Sequence, residues 1–240
     1  MSWFVHWFDS SYYHTLYKNR NEKEAQKFID NLLQYLQISN GGKLIDIACG
    51  KGRHAFYFNS LGFDVVGIDL SPNSIRIAKK KMNPTLQFSV HDMREIYQKE
   101  KFDIATNLFT SFGYFEKDTD EQKSINAMTS NLKSGGILVI DFMNVEKVIA
   151  NLLSKEQKII DGITFNINRE LKNGYIIKDI CVIDGREKHY FQEKVKALTL
   201  TNFTELISKA GLKIIDVFGN YELDSFNLLD SERLILICNK

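Results

Sequence analysis

The sequence predicts an α/β fold built on a doubly wound, parallel β-sheet. Three observations lead to this prediction. Short apolar runs alternate with helical segments between residues 43 and 141, glycine turns such as Gly50-Lys51-Gly52 separate them, and a helix and two more strands follow residue 198. Because parallel strands need crossover connections, which are usually helices, this alternation favours a sheet covered by helices on both faces.

The first 141 residues supply a leading helix and five strands. The leading helix is expected from about Asn21 to Gln37, where apolar residues recur at helical spacing, and Gly41-Gly42 ends it. Ser71-Pro72 opens another helix, with the serine as N-cap and the proline at the first helical position. The predicted strands are Lys43–Ile47, Asp64–Asp69, Leu86–Val90, Phe102–Phe109 and Ile137–Asp141, and the other helices are Arg53–Leu61 and Lys117–Leu132, with a turn at Ser134-Gly135-Gly136.

The pattern changes after residue 141. A helix is expected from Val145 to Leu153, and residues 156–198 then have strand character. Asn173-Gly174 and Asp184-Gly185 are strong hairpin turns, so we expect a three-stranded antiparallel meander inserted into the α/β core. The predicted organisation is an N-terminal aromatic lid and helix in residues 1–40, a core in 41–155 and 199–240, and the meander in 156–198, with a helix at Thr201–Ala210 and strands at Leu212–Phe218 and Arg233–Cys238 closing the core.

Composition bounds the class of protein. The chain has 240 residues, of which 44% are hydrophobic and 25% charged, and its formal net charge is +1. This is the balance of a globular protein that can bury a core, and the lack of a basic stripe disfavours a nucleic-acid partner. The N-terminus has no basic region followed by a long apolar run, so we expect a cytoplasmic protein without a membrane segment. Three scattered cysteines and five histidines without ligand spacing predict neither a disulfide framework nor a metal site.

The segment that carries chemistry lies where the first strand meets the next helix. Gly50 and Gly52 let the backbone pass close to a ligand there, and the free N–H groups at a helix start favour an anion. Asp69, at the end of the second strand, can accept hydrogen bonds from both hydroxyls of a ribose. Together with Ala55 these residues also fit the dinucleotide pattern G-x-G-x-x-[GA], so a nicotinamide-dependent oxidoreductase is one alternative.

Three further features favour S-adenosylmethionine as the cofactor. Asp46 lies inside the first strand, where a carboxylate can meet an ammonium group, whereas nicotinamide-binding strands usually stay apolar there. His91-Asp92-Met93 follows the third strand and supplies an acidic residue for an adenine amino group. A helix and two strands are predicted after residue 198, so we expect no second catalytic domain for hydride chemistry.

The segments LIDIACGKGRHA, VVGIDLS, HDM and FDIATNLF resemble the successive motifs of class I, Rossmann-like S-adenosylmethionine-dependent methyltransferases of the small-molecule type. The resemblance covers residues 40–145 well and residues 198–240 more loosely. It implies a doubly wound, seven-stranded, mostly parallel sheet of order 3-2-1-4-5-7-6 whose seventh strand is antiparallel. It also implies that S-adenosylmethionine is the cofactor and that the chain is an enzyme.

The resemblance implies a role for each motif. Asp46 and the glycine turn would hold the methionine end of the cofactor, and Asp69 would bind the ribose. Arg53 would contact the cofactor carboxylate, or alternatively form a salt bridge on the helix surface, and Cys49 is alternatively a small packing residue. The implied cofactor-binding residues are Asp46, Ala48, Cys49, Gly50, Gly52, Arg53 and Asp69, with Leu70 packing on the adenine, Asp92 and Met93 at the adenine edge, and Asn107, Leu108 and Phe109 on the floor beneath the sulfonium.

The methyl acceptor stays open at this point. The fourth-strand segment Asn107-Leu108-Phe109-Thr110 lacks the Asn/Asp-Pro-Pro-Tyr/Phe run of DNA amino-methyltransferases, and the sequence has no Pro-Cys nucleophile pair. With the nearly neutral charge, this favours a small-molecule acceptor over nucleic acid. We expect a monomer or a homodimer, and a noncatalytic module that keeps the methyltransferase fold is a further alternative.

The aromatic N-terminus and the meander are the candidate acceptor-binding segments. The N-terminal rings either pack on the core as a helix or form a lid that faces the sulfonium in a cation–π contact. The meander either covers the acceptor or is a structural flap. A general base, where the acceptor needs one, is expected among Tyr13, His14 and His189. The N-terminal aromatic residues are Trp3, Phe4, Trp7, Phe8, Tyr12, Tyr13 and Tyr17.

Overall fold

A computed structural model describes residues 3–18, 22–38 and 41–240, apart from the side chains of residues 3–5 and 118. The predicted helix start at Asn21 and the side chains of Trp3 and Phe4 therefore lie outside the described residues. The helices are α1 (Trp3–Phe8), α2 (Ser11–Leu16), α3 (Glu22–Leu36), α4 (Arg53–Ser60), α5 (Pro72–Ala78), α6 (Asp118–Asn131), α7 (Val145–Ala150) and α8 (Leu200–Lys209). The strands are β1 (Lys43–Ile47), β2 (Asp64–Asp69), β3 (Leu86–Val90), β4 (Phe102–Asn107), β5 (Leu132–Met143), β6 (Lys155–Ile160), β7 (Ile163–Lys172), β8 (Tyr175–Asp184), β9 (Glu187–Lys196), β10 (Lys213–Phe218) and β11 (Arg233–Asn239).

Seven strands form one sheet in the order β3-β2-β1-β4-β5-β11-β10. β11 runs antiparallel to both of its neighbours, and β1 to β5 pair with one another in parallel. Among the core strands alone this is the order 3-2-1-4-5-7-6 with an antiparallel seventh strand, so the fold prediction is confirmed. The direction of strand progression reverses between β1 and β4, and ligands of open α/β sheets bind at such a switch point, outside the carboxyl ends of the strands.

Both faces of this sheet are buried, which explains why its central strands are nearly continuous apolar runs. On one face, Leu44 of β1 belongs to a buried cluster with Phe28 of α3 and Phe58 of α4. On the other face, Ile45 belongs to a second cluster that includes Met128 of α6. Because helices pack on both faces of β1, the end of this strand and the turn that follows it are held in a fixed position.

The start of β5 differs from the prediction. The sequence predicts a turn at Ser134-Gly135-Gly136, whereas the strand extends back to Leu132. Gly135 has a φ of 74°, and the pairing with β4 shifts register between Phe102 and Ile104. The glycines are therefore accommodated as an irregularity within the strand, as β-bulges often are.

The inserted segment forms a separate antiparallel sheet of four strands, β6-β7-β8-β9, and not the three that were predicted. The missed hairpin turns at Asp161-Gly162, where the φ values of 52° and 80° are those of a type I′ turn. β6 reads Lys-Glu-Gln-Lys-Ile-Ile and is mostly exposed, so it lacks the apolar alternation by which a strand is recognised in sequence. The other two turns lie at Asn173-Gly174 and Asp184-Gly185, as predicted.

The N-terminal helices pack on this second sheet. Trp7 of α1 is buried in a cluster that includes Phe165 of β7. Between α1 and α2, Asp9 accepts hydrogen bonds from the Ser71 hydroxyl and the Asn73 side-chain amide at the start of α5. The helical pair therefore connects the second sheet to the edge of the main sheet at which β2 ends.

The described ranges contain neither a membrane-spanning helix nor a cluster of metal ligands. Within residues 3–18, 22–38 and 41–240, no helix is both long and apolar enough to cross a membrane. In the same ranges no three His, Cys, Asp or Glu side chains are grouped so that they could hold a metal ion. Cys49, Cys181 and Cys238 are free thiols, of which the first and last are buried.

Candidate active site

A cavity of about 690 Å³ lies between the carboxyl ends of β1, β2 and β4 and a roof made by α1, α2 and the second sheet. Its lower wall comes from the loops that follow the core strands, and its roof includes side chains from β7, β8 and β9. Two of the predicted cofactor-binding residues, Gly52 and Asn107, are buried and do not line the cavity. The predicted cofactor-binding residues that line the cavity are Asp46, Ala48, Cys49, Gly50, Arg53, Asp69, Leu70, Asp92, Met93, Leu108 and Phe109.

The turn after β1 takes its shape from left-handed backbone conformations. The φ values are 60° at Ala48, 56° at Gly50 and 85° at Gly52. Glycine adopts this conformation without strain, whereas an alanine does so at a cost. At Gly52 a Cβ atom would also approach the Phe88 ring to 2.9 Å. Gly52 therefore shapes the turn from behind and lets the neighbouring backbone approach a ligand.

Asp46 is a buried carboxylate on β1, and it lines the cavity. Its Oδ1 accepts a hydrogen bond of 3.0 Å from the Thr106 hydroxyl. Its Oδ2 is buried and has no hydrogen-bond partner among the described residues. Burial raises the pKa of Asp46 to about 7 and the charge of Asp69 adds to the shift, whereas the Thr106 hydrogen bond, the charge of Arg53 and the backbone N–H of Ala55 oppose it. A buried acceptor of this kind is suited to a cationic donor from a ligand.

Asp69 closes the same turn from the end of β2. Its Oδ2 accepts a hydrogen bond of 2.8 Å from the Gly50 N–H, and its Oδ1 accepts one of 2.8 Å from the Ser71 N–H. Burial raises the pKa of Asp69, and these two donors oppose the shift. Because each carboxylate oxygen has two lone pairs, both oxygens keep acceptor capacity for ligand hydroxyls. Leu70 follows, 38% exposed, and presents an apolar side chain to the cavity.

Asp92 is held differently from what its implied role requires. Arg94 donates to both of its carboxylate oxygens through Nε and Nη2, at 2.6 to 3.1 Å, and binds Asp120 through Nη1 at 2.8 Å. Burial acts to raise the pKa of Asp92, but the hydrogen bonds and charge of Arg94 outweigh it and hold this pKa below its ordinary value. The carboxylate therefore offers fewer acceptors to an adenine amino group than the sequence implies. Met93, beside it, lines the cavity.

The end of β4 supplies the floor of the cavity. Leu108 and Phe109 line it, whereas Asn107 is buried behind them. The Asn107 side-chain amide donates a hydrogen bond of 3.0 Å to the Ile47 carbonyl, which ties β4 to the end of β1. Asn107 thus positions the floor without forming part of its surface.

Arg53 begins α4 and lies over the floor. Its guanidinium carbon is 4.3 Å from the centroid of the Phe109 ring, and its Nη2 is 3.2 Å from His54 Nε2. Burial and the neighbouring positive charge lower the pKa of His54 to about 3, so His54 is neutral at pH 7 and its Nε2 accepts from Arg53. Both residues line the cavity, beside the glycine turn.

Two of the three candidate bases reach the cavity. Tyr13 and His14 of α2 line it, and burial with the nearby charge of Lys51 lowers the pKa of His14. The imidazole is therefore mainly neutral at pH 7 and able to accept a proton. His189 lies near the far end of β9 and outside the cavity lining, with its Nε2 3.2 Å from Glu187. The structure thus groups Tyr13 and His14 and separates His189 from them.

Several cavity residues on the strands and the roof were not predicted. Lys178 donates to Glu193 at 3.0 Å, and the Tyr17 hydroxyl donates to the same carboxylate at 2.7 Å. Arg169, beside them on β7, and Arg233, at the start of β11, also line the cavity. One sequence signal could have identified the residues on β7, β8 and β9. Each is a charged residue that lies on the same face of its strand as the buried apolar side chains.

The lower wall fits S-adenosylmethionine at two points. The buried Oδ2 of Asp46, which has no partner in the described part of the chain, provides an acceptor for an ammonium group. The remaining lone pairs of Asp69 match the two hydroxyls of a ribose. The pairing of Asp92 with Arg94 is the departure from this fit.

Known proteins resemble the chain in sequence and in fold. A protein of Geobacillus sp. (strain WCH70) with a provisional methyltransferase name is 26% identical over 99% of this chain and 98% of its own length. A glycine/sarcosine N-methyltransferase of Parasynechococcus marenigrum (strain WH8102) is 26% identical over 87% of this chain and 74% of its own. The crystal structure of an S-adenosylmethionine-dependent methyltransferase from Clostridium acetobutylicum ATCC 824 superposes with a TM-score of 0.79 at 19% identity, covering 98% of this chain and 97% of that one.

The family assignment comes from the sequence match. A family sequence model described as "Methyltransferase domain" matches residues 38–197, more than half of the chain, including the whole lower wall of the cavity up to β5. The nicotinamide alternative gains no support from these comparisons. The match, the strand order and the glycine turn with its two aspartates agree with one another. The chain belongs to the methyltransferase family, and it is an S-adenosylmethionine-dependent enzyme of that family.

Proposed function

We propose that this enzyme transfers a methyl group to a small molecule that binds in the same cavity as the cofactor. The observation that carries the proposal is the roof, because α1, α2 and the second sheet cover the carboxyl ends of the core strands. The volume of about 690 Å³ is within the range of small-molecule sites, which is about 300 to 1,000 Å³. The glycine/sarcosine N-methyltransferase among the relatives supports a small acceptor by its name.

The lower wall holds the cofactor in this proposal. Asp46 receives the ammonium group, the turn from Ala48 to Gly52 lies along the methionine end, and Asp69 receives the ribose hydroxyls. Leu70 and Met93 pack on the adenine, with Asp92 and its partner Arg94 at the ring edge. When bound, the cofactor supplies a methyl group that is already activated on a positively charged sulfur.

The chain's own task is then alignment and exclusion of water. Leu108 and Phe109 form an apolar floor, and the aromatic residues Phe8, Tyr13 and Tyr17 line the opposite wall. Aromatic faces attract a nearby cation, so this wall suits a sulfonium. The residues of α1 and α2 act as the lid that the sequence predicts.

His14 is the general base in this proposal, where the acceptor has a proton to lose. Its lowered pKa keeps the imidazole neutral at pH 7, which is the form that accepts a proton. Tyr13 lies next to it on α2 and lines the same cavity, so it orients the acceptor or relays the proton. An acceptor that arrives as a free amine needs no such step.

The three parts of the chain have separate tasks in this proposal. The segment 156–198 covers the acceptor, residues 1–40 carry the lid, and residues 41–155 with 199–240 hold the cofactor. Nucleic acid is disfavoured as the acceptor by the net charge of +1. Free thiols at all three cysteines suit a reducing compartment such as the cytoplasm, and the proposed oligomeric state is a monomer or a homodimer.

The first experiment is calorimetric titration of S-adenosylmethionine and S-adenosylhomocysteine into the wild type and Asp69→Ala. Removal of the ribose acceptor is expected to weaken both ligands by about tenfold or more. Asp64→Ala is the matched control, because it removes a carboxylate from the other end of the same strand. A panel of small amines, acids and alcohols is then screened for transfer of a labelled methyl group. Equal binding by Asp69→Ala and Asp64→Ala, or turnover only with a macromolecule, would contradict the proposal.

A further inference from the structure

Two cationic side chains oppose each other on the cavity side of the second sheet. Arg169 of β7 and Lys178 of β8 are direct cross-strand partners, and both line the cavity. Their side chains are 19% and 15% exposed. Like charges directly opposite in a sheet are destabilising, so this pair calls for a compensating negative charge.

The acidic partners of the pair lie on its outer sides. Glu193 of β9, the direct cross-strand partner of Lys178, accepts a hydrogen bond from it at 3.0 Å, and Glu156 of β6 pairs with Arg169. Glu193 also accepts from the Trp7 indole at 2.7 Å and from the Tyr17 hydroxyl at 2.7 Å. The order of charge across the sheet is therefore negative, positive, positive, negative, and the positive centre faces the cavity.

Arg169 keeps donors for a ligand. A guanidinium has five N–H donors in a planar fork. Within the described part of the chain its side chain makes two hydrogen-bonded contacts, one to the Leu153 carbonyl at 3.3 Å and one to Glu156. The remaining donors belong to a mostly buried side chain whose residue lines the cavity, and a fork of this kind matches the two oxygens of a carboxylate or phosphate.

We propose that Arg169 and Lys178 bind an anionic group of the methyl acceptor, a carboxylate or a phosphate. This inference rests on the proposed function, in which the acceptor is a small molecule in this cavity. The cofactor's own carboxylate belongs with the glycine turn and Arg53 on the lower wall, whereas Arg169 and Lys178 belong to the roof. The acceptor is therefore an anionic or zwitterionic small molecule, and its anionic group is held on the second sheet.

The test uses Trp7 as a built-in fluorescent reporter, because its indole donates to Glu193 beside Lys178. Trp3→Phe provides a background with one tryptophan, since the sequence has two. Acetate and inorganic phosphate are titrated at constant ionic strength, with and without saturating S-adenosylhomocysteine, while fluorescence and the thermal unfolding midpoint are recorded. Saturating S-adenosylhomocysteine fills the site of the cofactor carboxylate, and the two anions distinguish a carboxylate from a phosphate acceptor.

Arg169→Gln is compared with Arg186→Gln, which removes an exposed arginine from the turn between β8 and β9. We expect saturable binding of at least one anion, and a dissociation constant raised about tenfold or more in Arg169→Gln but unchanged in Arg186→Gln. Arg169→Lys keeps the charge but loses the planar fork of donors, so its dissociation constant is expected to lie between those of Arg169→Gln and Arg186→Gln.

Two results would overturn the inference. One is the absence of saturable anion binding in wild-type protein that binds S-adenosylhomocysteine, and the other is equal weakening in Arg169→Gln and Arg186→Gln. Failure of S-adenosylhomocysteine to bind would instead contradict the proposed function. The titrations without this ligand would still report on the anion site, so the two failures are distinguishable.

Discussion

The carboxylate of Asp141 accepts a hydrogen bond of 2.9 Å from the backbone N–H of Phe109. The carbonyl of Asp141 accepts another, also 2.9 Å, from the N–H of Thr110. Phe109 and Thr110 have φ values of 62° and 60°, a left-handed conformation that costs free energy in residues other than glycine. Asp141 thus holds the strained segment that lines the cavity floor, while Arg233 pairs with its other oxygen at 2.7 Å.

We predict that Asp141→Asn destabilises the protein by about 3 kcal/mol, since it leaves the Arg233 guanidinium largely buried without its carboxylate. Urea unfolding measures this loss. Tyr221→Phe is the control, because it removes one hydrogen bond of 3.0 Å to the same carboxylate and leaves the ion pair in place, and its expected cost is about 1.5 kcal/mol. Losses of equal size in the two variants would show that the ion pair is not what holds the segment.

The stability of the protein should depend on pH through Asp46. The pKa of this carboxyl is raised by burial from an ordinary value of 3.8 to about 7. The folded state therefore retains a proton that the unfolded state has lost, so the free energy of unfolding falls as pH rises from 4 to 7, by up to about 1.4 kcal/mol for each unit of pKa difference. Asp46→Asn removes this fall. Urea unfolding of the wild type and Asp46→Asn at pH 5 and pH 8 measures this difference. An equal change in the free energy of unfolding in the two proteins would contradict the raised pKa of Asp46.

Cofactor affinity should follow the same ionisation with the opposite sign. An ammonium group binds an ionised Asp46 better than a protonated one, so the affinity for S-adenosylhomocysteine is expected to decline as pH falls below 7, by at most about tenfold per pH unit. In Asp46→Asn the affinity should be lower at pH 7.5 and nearly independent of pH between 5.5 and 7. Calorimetric titration across this range checks both statements, and Asp64→Asn serves as the control on charge alone. A wild-type affinity that is constant across this range would exclude the proposed contact.

The core of the fold and the lower wall were accessible to sequence reasoning because their signals are local. Asp46, Gly50 and Gly52 lie within one strand and its turn, and Asp69 ends the next strand. The buried strands of the parallel sheet are recognisable as apolar runs, whereas β6 is an exposed edge strand of mixed polarity and went unrecognised.

The contacts of the roof and the ion pair of Asp141 with Arg233 could not be predicted from the sequence, because they depend on the register between distant segments. Asp141 and Arg233 meet because β11 pairs with β5, across 92 positions of sequence. Arg169 and Lys178 face each other only once the hairpin turn at Asn173-Gly174 has fixed the pairing of β7 with β8. The hydrogen bonds from Arg94 to both carboxylate oxygens of Asp92 likewise depend on side-chain geometry that residue types alone do not specify.

Gly67 of β2 should tolerate no side chain. A Cβ atom there would lie 2.6 Å from the Phe88 ring and 2.9 Å from the Cys49 sulfur, so one of these groups would have to move. Cys49 belongs to the turn that shapes the cavity, and we therefore expect Gly67→Ala to cost about 1–3 kcal/mol and to weaken S-adenosylhomocysteine binding. Gly42→Ala is the matched control, since its added Cβ would meet ordinary contacts beginning at 3.5 Å. Urea unfolding and S-adenosylhomocysteine titration are compared for Gly67→Ala and Gly42→Ala. Equal stability and equal affinity in the two variants would refute the prediction.

Asp9 joins the lid to the main sheet. Its carboxylate accepts hydrogen bonds from the Ser71 hydroxyl and from the Asn73 amide at 2.6 Å, and Ser71 follows Asp69 by two residues. Hydrogen bonds to a charged group contribute about 1.5–3 kcal/mol each when partly buried. Breaking both should loosen the lid where it adjoins the ribose site, because the remaining contacts of α1 and α2 are mainly with the second sheet.

Asp9→Ala is therefore expected to raise the dissociation rate of S-adenosylhomocysteine by about tenfold or more. Stopped-flow displacement measures the rate, and limited proteolysis of the first 18 residues reports independently on opening. Asp179→Ala removes an exposed carboxylate from the outer side of β8 and should change neither readout. If Asp9→Ala releases the ligand at the wild-type rate while its N-terminus becomes easier to cleave, the lid opens without controlling cofactor release, because the second sheet alone is then enough to retain the cofactor.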